Sequence, residues 1–157
     1  MSVRIFFILL ITFIMGGGGL FYAIQDYQEK KLTPQVPCYS VIREGNFIDD
    51  NLQPYSFNGG LTWWPYQKKL SVFGISKNSH GGKVINRILN LGDVRQHQGT
   101  IHARVAAVDI AAGDQLGKEY TLFSATGTPL TLTFKPLTDR KWLMMINDNW
   151  IAMCEKK

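Results

Sequence analysis

Apolar and polar positions along this chain follow two regimes. From Ile5 to Ile24 the run "IFFILLITFIMGGGGLFYAI" contains no charged residue. As a helix rising 1.5 Å per residue it would reach about 30 Å, the thickness of a bilayer's hydrocarbon core. From Cys38 onwards the alternation shortens to a period of two. In "LTLTFKP", Leu130, Leu132 and Phe134 fall on one face, and Thr131, Thr133 and Lys135 on the other. That is the pattern of a half-buried strand.

Other segments read the same way. "EYTLFSA" lies before "LTLTFKP" with "TGTP" between them, a hairpin signal. "RKWLMMINDNWIAMC" supplies two short strands around an Asn147-Asp148-Asn149 turn. "KKLSVFGIS" and "KVINRILNL" flank the turn "KNSHGG", and "CYSVIREGNFI" gives one or two strands. "GTIHARVAAVDI" is rich in β-branched residues, although its alanines also permit a helix. Nothing after residue 25 has a 3.6-residue period. The expected fold is all-β, an antiparallel sandwich or lipocalin-like barrel of about eight strands, preceded by one N-terminal transmembrane helix.

The expected organisation is residues 1–4 in the cytoplasm, a span over 5–24, a linker over 25–37, and a β-domain over 38–157. The linker "QDYQEKKLTPQVP" is polar, and Pro34 and Pro37 stiffen it. A cleaved signal peptide would put Gly17 and Gly19 just before the cut. However, "LFYAI" continues the apolar run past the glycines, which favours an uncleaved anchor. Gly16, Gly17, Gly18 and Gly19 strip side chains from one helical turn, and Gly19 with Ala23 forms a small-xxx-small pair. In lipid such positions let a second helix approach closely. The alternative is a locally thin anchor with no partner. The flanking charges, Arg4 on one side and Lys30 and Lys31 on the other, are nearly balanced. The body and its cysteines tip the orientation: N-terminus in the cytoplasm, main domain on the periplasmic side of a bacterial inner membrane.

Composition adds restraint. With 45% hydrophobic and 18% charged residues, the body is ordinary for a globular domain. The net charge of +5 is spread out, without the concentrated basic face of a nucleic-acid binder. Cys38 and Cys154 stand at the two ends of the β-domain. In an oxidising compartment they could pair and staple the termini; otherwise they are two buried thiols.

No catalytic constellation emerges, and the chain is not expected to be an enzyme or to carry a metal or cofactor. His80 sits in a turn, and the five-residue spacing of His97 and His102 would point them to opposite faces of one strand. HExxH, CxxC, P-loop and nucleophile-elbow patterns do not occur. The short acidic turn Asp49, Asp50 and Asn51 lacks further oxygen ligands for calcium. Most prominent is "GGLTWWPYQKK", where Trp63, Trp64 and Tyr66 follow a Gly-Gly turn. They form a ligand or partner surface, a membrane-facing edge, or an alternation with one tryptophan in the core and one half exposed.

The layout, together with "LSVFGIS", "INRILNLGD", "VAAVDIAAGDQ" and the closing "WIAMC", resembles the FidL-like small membrane proteins of enteric bacteria, and more distantly the ToxS, PsaF, MyfF and VtrC class. The resemblance implies pairing with a ToxR-like regulator, which has a cytoplasmic winged helix-turn-helix domain, one span and a periplasmic domain. The small protein would bind and stabilise that periplasmic domain and help it respond to bile salts or pH. Contact would be through the periplasmic domain and the transmembrane helix, with no direct nucleic-acid binding. The alternative is a stand-alone lipocalin-like module that holds an apolar ligand such as a bile salt.

Overall fold

The computed structural model describes residues 13, 17–27, 31–48, 53–79, 81–116, 126–147 and 149–156. Residues 5–12 and 14–16 of the apolar run (Gly16 among them), Asp49 to Asn51, His80, the segment "EYTLFSA" and Asp148 lie outside these.

Among the described residues, eight strands form one closed antiparallel barrel. They are β1 (Cys38–Ile48), β2 (Pro54–Trp64), β3 (Lys69–Asn78), β4 (Gly81–His97), β5 (Thr100–Ile110), β6 (Pro129–Thr138), β7 (Lys141–Ile146) and β8 (Trp150–Lys156). Each strand pairs with the next in sequence, and β8 returns to β1. The barrel is therefore realised rather than the sandwich. "GTIHARVAAVDI" is a strand, because its alternate residues Ile101, Ala103 and Val105 fill the interior. His97 ends β4 and His102 lies on β5, so a turn at Gln98 and Gly99 separates them.

Closing a sheet requires local extra twist, which bulges supply. In β1 the register with β2 shifts between Ile42 and Gly45, where Glu44 has φ of 53°. The Glu44 N–H donates to Asn58 Oδ1 at 3.0 Å, so the bulged backbone keeps a partner. A second shift, between Gly92 and Arg95, contains Asp93 with φ of 50°. At the β7–β8 turn, Asn147 stands in for a strand residue. Its N–H donates to the Thr131 carbonyl at 2.9 Å, and its Oδ1 accepts from the Thr131 N–H at 2.8 Å.

Gly59 and Gly60 do not make the expected turn; they lie in the middle of β2. Gly59 faces Gly74 across the β2–β3 pair. A Cβ at Gly74 would fall on the Asn58 carbonyl oxygen and 2.7 Å from the Gly59 Cα, while the Phe57 ring covers both glycines. The pair is a packing requirement between two backbones. Gly74→Ala should therefore cost about 2 kcal/mol through overpacking, read as a lower urea midpoint at unchanged slope.

The interior is occupied by Trp63, Trp150, Phe57, Leu61, Leu70, Leu89, Leu132 and Met144, all buried. Trp150 stacks on Phe47 with ring centroids 4.1 Å apart and meets Phe57 at 4.9 Å. Side chains thus fill the lumen, as expected for an eight-stranded barrel of this size.

Each end of the barrel is covered. At the end where β1 begins and β8 finishes, the last part of the expected linker folds inward, with Thr33 and Pro34 buried. At the opposite end, residues 111–116 turn back along β4. Ala111 N–H donates to the Asn86 carbonyl, Gln115 N–H to the Val84 carbonyl, and Leu116 enters the core.

That turn meets a charge inside the barrel. Ile85, Arg87, Leu89 and Leu91 all point inward from β4, and Arg87 is 1% exposed. Its Nε and Nη2 donate to the two carboxylate oxygens of Asp114, each at 2.9 Å. Nη2 also donates to the Leu116 carbonyl. Asp114 accepts further from the Asn86 N–H at 2.9 Å and the Leu116 N–H at 3.0 Å. Burial opposes ionisation of Asp114, but these donors and the guanidinium charge outweigh it. The carboxyl is held below its ordinary value of 3.8.

Residues 17–27 are helical. Leu20, Phe21, Tyr22 and Ile24 are exposed, as is Ala23. Beyond the helix's own backbone and the neighbouring residues, a Cβ at Gly17, Gly18 or Gly19 would meet no described atom within 4 Å. Among the described residues no helix is long and apolar enough to cross a membrane.

Candidate functional site

The residues singled out in the sequence do not gather in one place. Cys38 and Cys154 form a disulfide with Cα atoms 5.4 Å apart. It lies inside the barrel, diagonally across the β1–β8 pairing, and both sulfur-bearing residues are fully buried. Trp63 also points inward, so it contributes to the core and not to an outer ligand or partner surface. Strand alternation turns its neighbour Trp64 outward, where the Nε1 donates to Ser71 Oγ at 3.0 Å. Tyr66 projects from the β2–β3 turn. A contiguous surface from all three is excluded by the period of two.

The geometry assembles a different surface. The β1–β8 ladder runs only from Cys38 to Ser40 against Lys156 to Cys154. Beyond Ser40 the described pairing stops, while β1 continues to Ile48 along β2 and β8 continues back to Trp150 along β7. On the inside, the Phe47–Trp150 stack bridges this seam. On the outside, Tyr39 and Val41 of β1 face Met153 of β8 across a cleft of about 370 Å³, also lined by Glu155 and Lys156.

The apolar character extends sideways. Val41 pairs with Gly60, and Gly60 with Phe73, in one cross-strand row. The Tyr39 ring lies over Gly60, where any Cβ would collide with the phenol ring. Ile75 and Ile151 continue the wall one pleat further on β3 and β8. Tyr39, Val41, Phe73, Ile75, Ile151 and Met153 are between 43% and 62% exposed. Isolated apolar residues on a surface need no explanation, but a wall spanning four neighbouring strands is a candidate interaction surface.

Sequence reasoning missed this wall for a specific reason. Each of these residues lies in an alternating strand, where the expected solvent face is polar. In "SVFGIS" and "WIAMC" both faces are apolar, and that doubling was the available signal. Which residues become neighbours depends on β8 returning to β1, a pairing between the two ends of the domain.

Among the described residues, no group of three or more His, Cys, Asp or Glu stands close enough to hold a metal ion. No protein-family model, curated protein or solved structure matches the chain.

Proposed function

We propose that this chain is a membrane-anchored periplasmic partner that binds, stabilises and modulates a ToxR-like transmembrane transcription regulator. The observation that carries the reading is the exposed apolar wall across β8, β1, β2 and β3. It offers a protein partner a hydrophobic docking face beside the seam where the β1–β8 ladder is short. The exposed apolar helix supports anchoring, because Leu20, Phe21, Tyr22 and Ile24 need lipid or another helix to leave water. The internal disulfide supports an oxidising compartment. The filled lumen favours recognition on the outer wall over the stand-alone carrier.

The test is affinity capture of the tagged full-length protein from membranes in mild detergent, with mass spectrometry of what it retains. A stoichiometric single-span protein with a cytoplasmic DNA-binding domain is the expected result. Val41→Lys with Met153→Lys should reduce its recovery at least tenfold while leaving the thermal midpoint within a few degrees, because both side chains already face solvent. Recovery of the protein alone, with tryptophan quenching by bile salts, would replace this proposal with the lipocalin-like alternative.

A further inference from the structure

The barrel end from which the N-terminal segment departs has a surface chemistry of its own, which shares Glu155 and Lys156 with the margin of the wall. Lys31 lines a cleft against the β6–β7 turn, and its Nζ lies 4.4 Å from the centroid of the Tyr27 ring four residues earlier, so the N-terminal segment leaves the barrel at this rim. The β2–β3 turn, closed by the Trp64–Lys69 pair, and the β6–β7 turn, closed by Thr138–Lys141, project from the same end. Tyr66, in the first of these turns, is 81% exposed, and Leu137, in the β6 irregularity just before the second, is 52% exposed. Around them stand Lys68, Lys69, Arg140 and Lys156, against Asp139 and Glu155. At the opposite end, among the described residues, Arg43, Lys77 and Lys83 accompany Glu44 and Asp109.

Between the inward-folded segment and the β6–β7 turn lies a cleft of about 580 Å³, lined by Lys31, Thr33, Thr138, Trp142 and Lys156 among others. Trp142 is nine-tenths buried, and its indole N–H has no acceptor among the described residues. The rim thus combines a protruding tyrosine and leucine, a cluster of cations, and a cleft lined by hydroxyl and ammonium donors together with the Asp139 carboxylate. Tyrosine and leucine partition into the headgroup boundary, and each lysine or arginine near an anionic surface adds attraction.

We propose that this rim docks on the anionic phospholipid bilayer that carries the anchor, with Tyr66 and Leu137 in the headgroup layer and the Lys31–Lys156 cleft receiving a lipid phosphate. The inference rests on the membrane-anchored reading for the tether that holds the rim near lipid. Tethering raises the effective lipid concentration, so attraction worth roughly fivefold per basic residue is enough to keep the rim down. Docking would fix the barrel's orientation and hold the β8–β1 wall upright, open to a partner rooted in the same membrane.

The experiment is amide hydrogen exchange on the full chain in nanodiscs of phosphatidylcholine alone, or with about one quarter phosphatidylglycerol. In anionic discs, residues 66–69 and 137–141 should exchange roughly fivefold more slowly, with the far-end strand termini unchanged. Salt at about 0.5 M, or the Arg140→Glu/Lys156→Glu variant, should abolish the difference. Equal exchange at both turns in the two lipids would overturn the docking and leave the anchor intact. Failure of the full chain to enter either disc would overturn the anchored reading, and the docking with it.

Discussion

With Cys38 and Cys154 both replaced by alanine, the protein is expected to lose about 4 kcal/mol of stability in urea unfolding at pH 7. The two residues are 116 apart in sequence, so the bond closes nearly the whole domain into one loop. In the chain-entropy account, a loop of this order restricts the unfolded state by about 4 to 5 kcal/mol. A second effect is local. The β1–β8 ladder spans three residue pairs, against nine for β1–β2, so the disulfide reinforces the weakest closure in the barrel. Alanine avoids placing new hydroxyls at two fully buried positions. Dithiothreitol should act on the native protein only as fast as it opens, because neither residue is accessible. A loss below about 1 kcal/mol would mean that packing at the seam, through Phe47 and Trp150, closes the barrel unaided.

The second large effect concerns the charge pair inside the barrel. Arg87→Met should cost about 3 to 5 kcal/mol, because it leaves Asp114 ionised and desolvated without its guanidinium. Asp114→Leu should cost a similar amount by stranding Arg87. The double variant should lose clearly less than the two single losses combined, since neither charge remains. It should not recover fully, because the Asn86 and Leu116 N–H groups also donate to Asp114. Strict additivity in this cycle would refute a direct coupling.

The same pair sets an acid dependence. Asp114 titrates below 3.8 in the folded protein and near the ordinary carboxylate value when unfolded. In the window between those two values the unfolded chain binds more protons. The contribution is therefore complete above the unfolded value and is lost as pH falls through the folded one. Stability measured from about pH 5 down to about pH 2 should fall less steeply in Asp114→Asn than in the parent. Identical slopes would assign acid sensitivity to other carboxylates.

Neither Arg87 nor Asp114 is conspicuous in the sequence. "VINRILNL" has apolar residues on both phases, so its inward set cannot be chosen by period alone. The inward set proves to be Ile85, Arg87, Leu89 and Leu91, which places an arginine where a core residue is expected. Asp114 comes from a turn "AAGDQL" that carries no strand or helix signal. Only the return of residues 111–116 along β4 brings it to within 2.9 Å of the guanidinium.

Local chemistry was enough for much else. Alternation in "LTLTFKP" identified β6 and its buried face, because side chains on a strand must point to opposite sides. Asn147 and Asn149 marked the β7–β8 turn, because a short polar side chain tolerates the positive φ of 48° found at Asn147. The charge-free run over residues 5–24 is a property of composition alone. What depended on tertiary structure has one physical origin, namely contact between residues far apart in the chain. Gly59 and Gly60 read as a turn until β3 brings Gly74 against Gly59 and the Tyr39 ring of β1 covers Gly60. Trp63 and Trp64 look like one aromatic surface until the barrel closes and separates inside from outside. Cysteine spacing permitted the disulfide, but the meeting of β1 and β8 placed Cys38 within 5.4 Å of Cys154 and assembled the apolar wall around them.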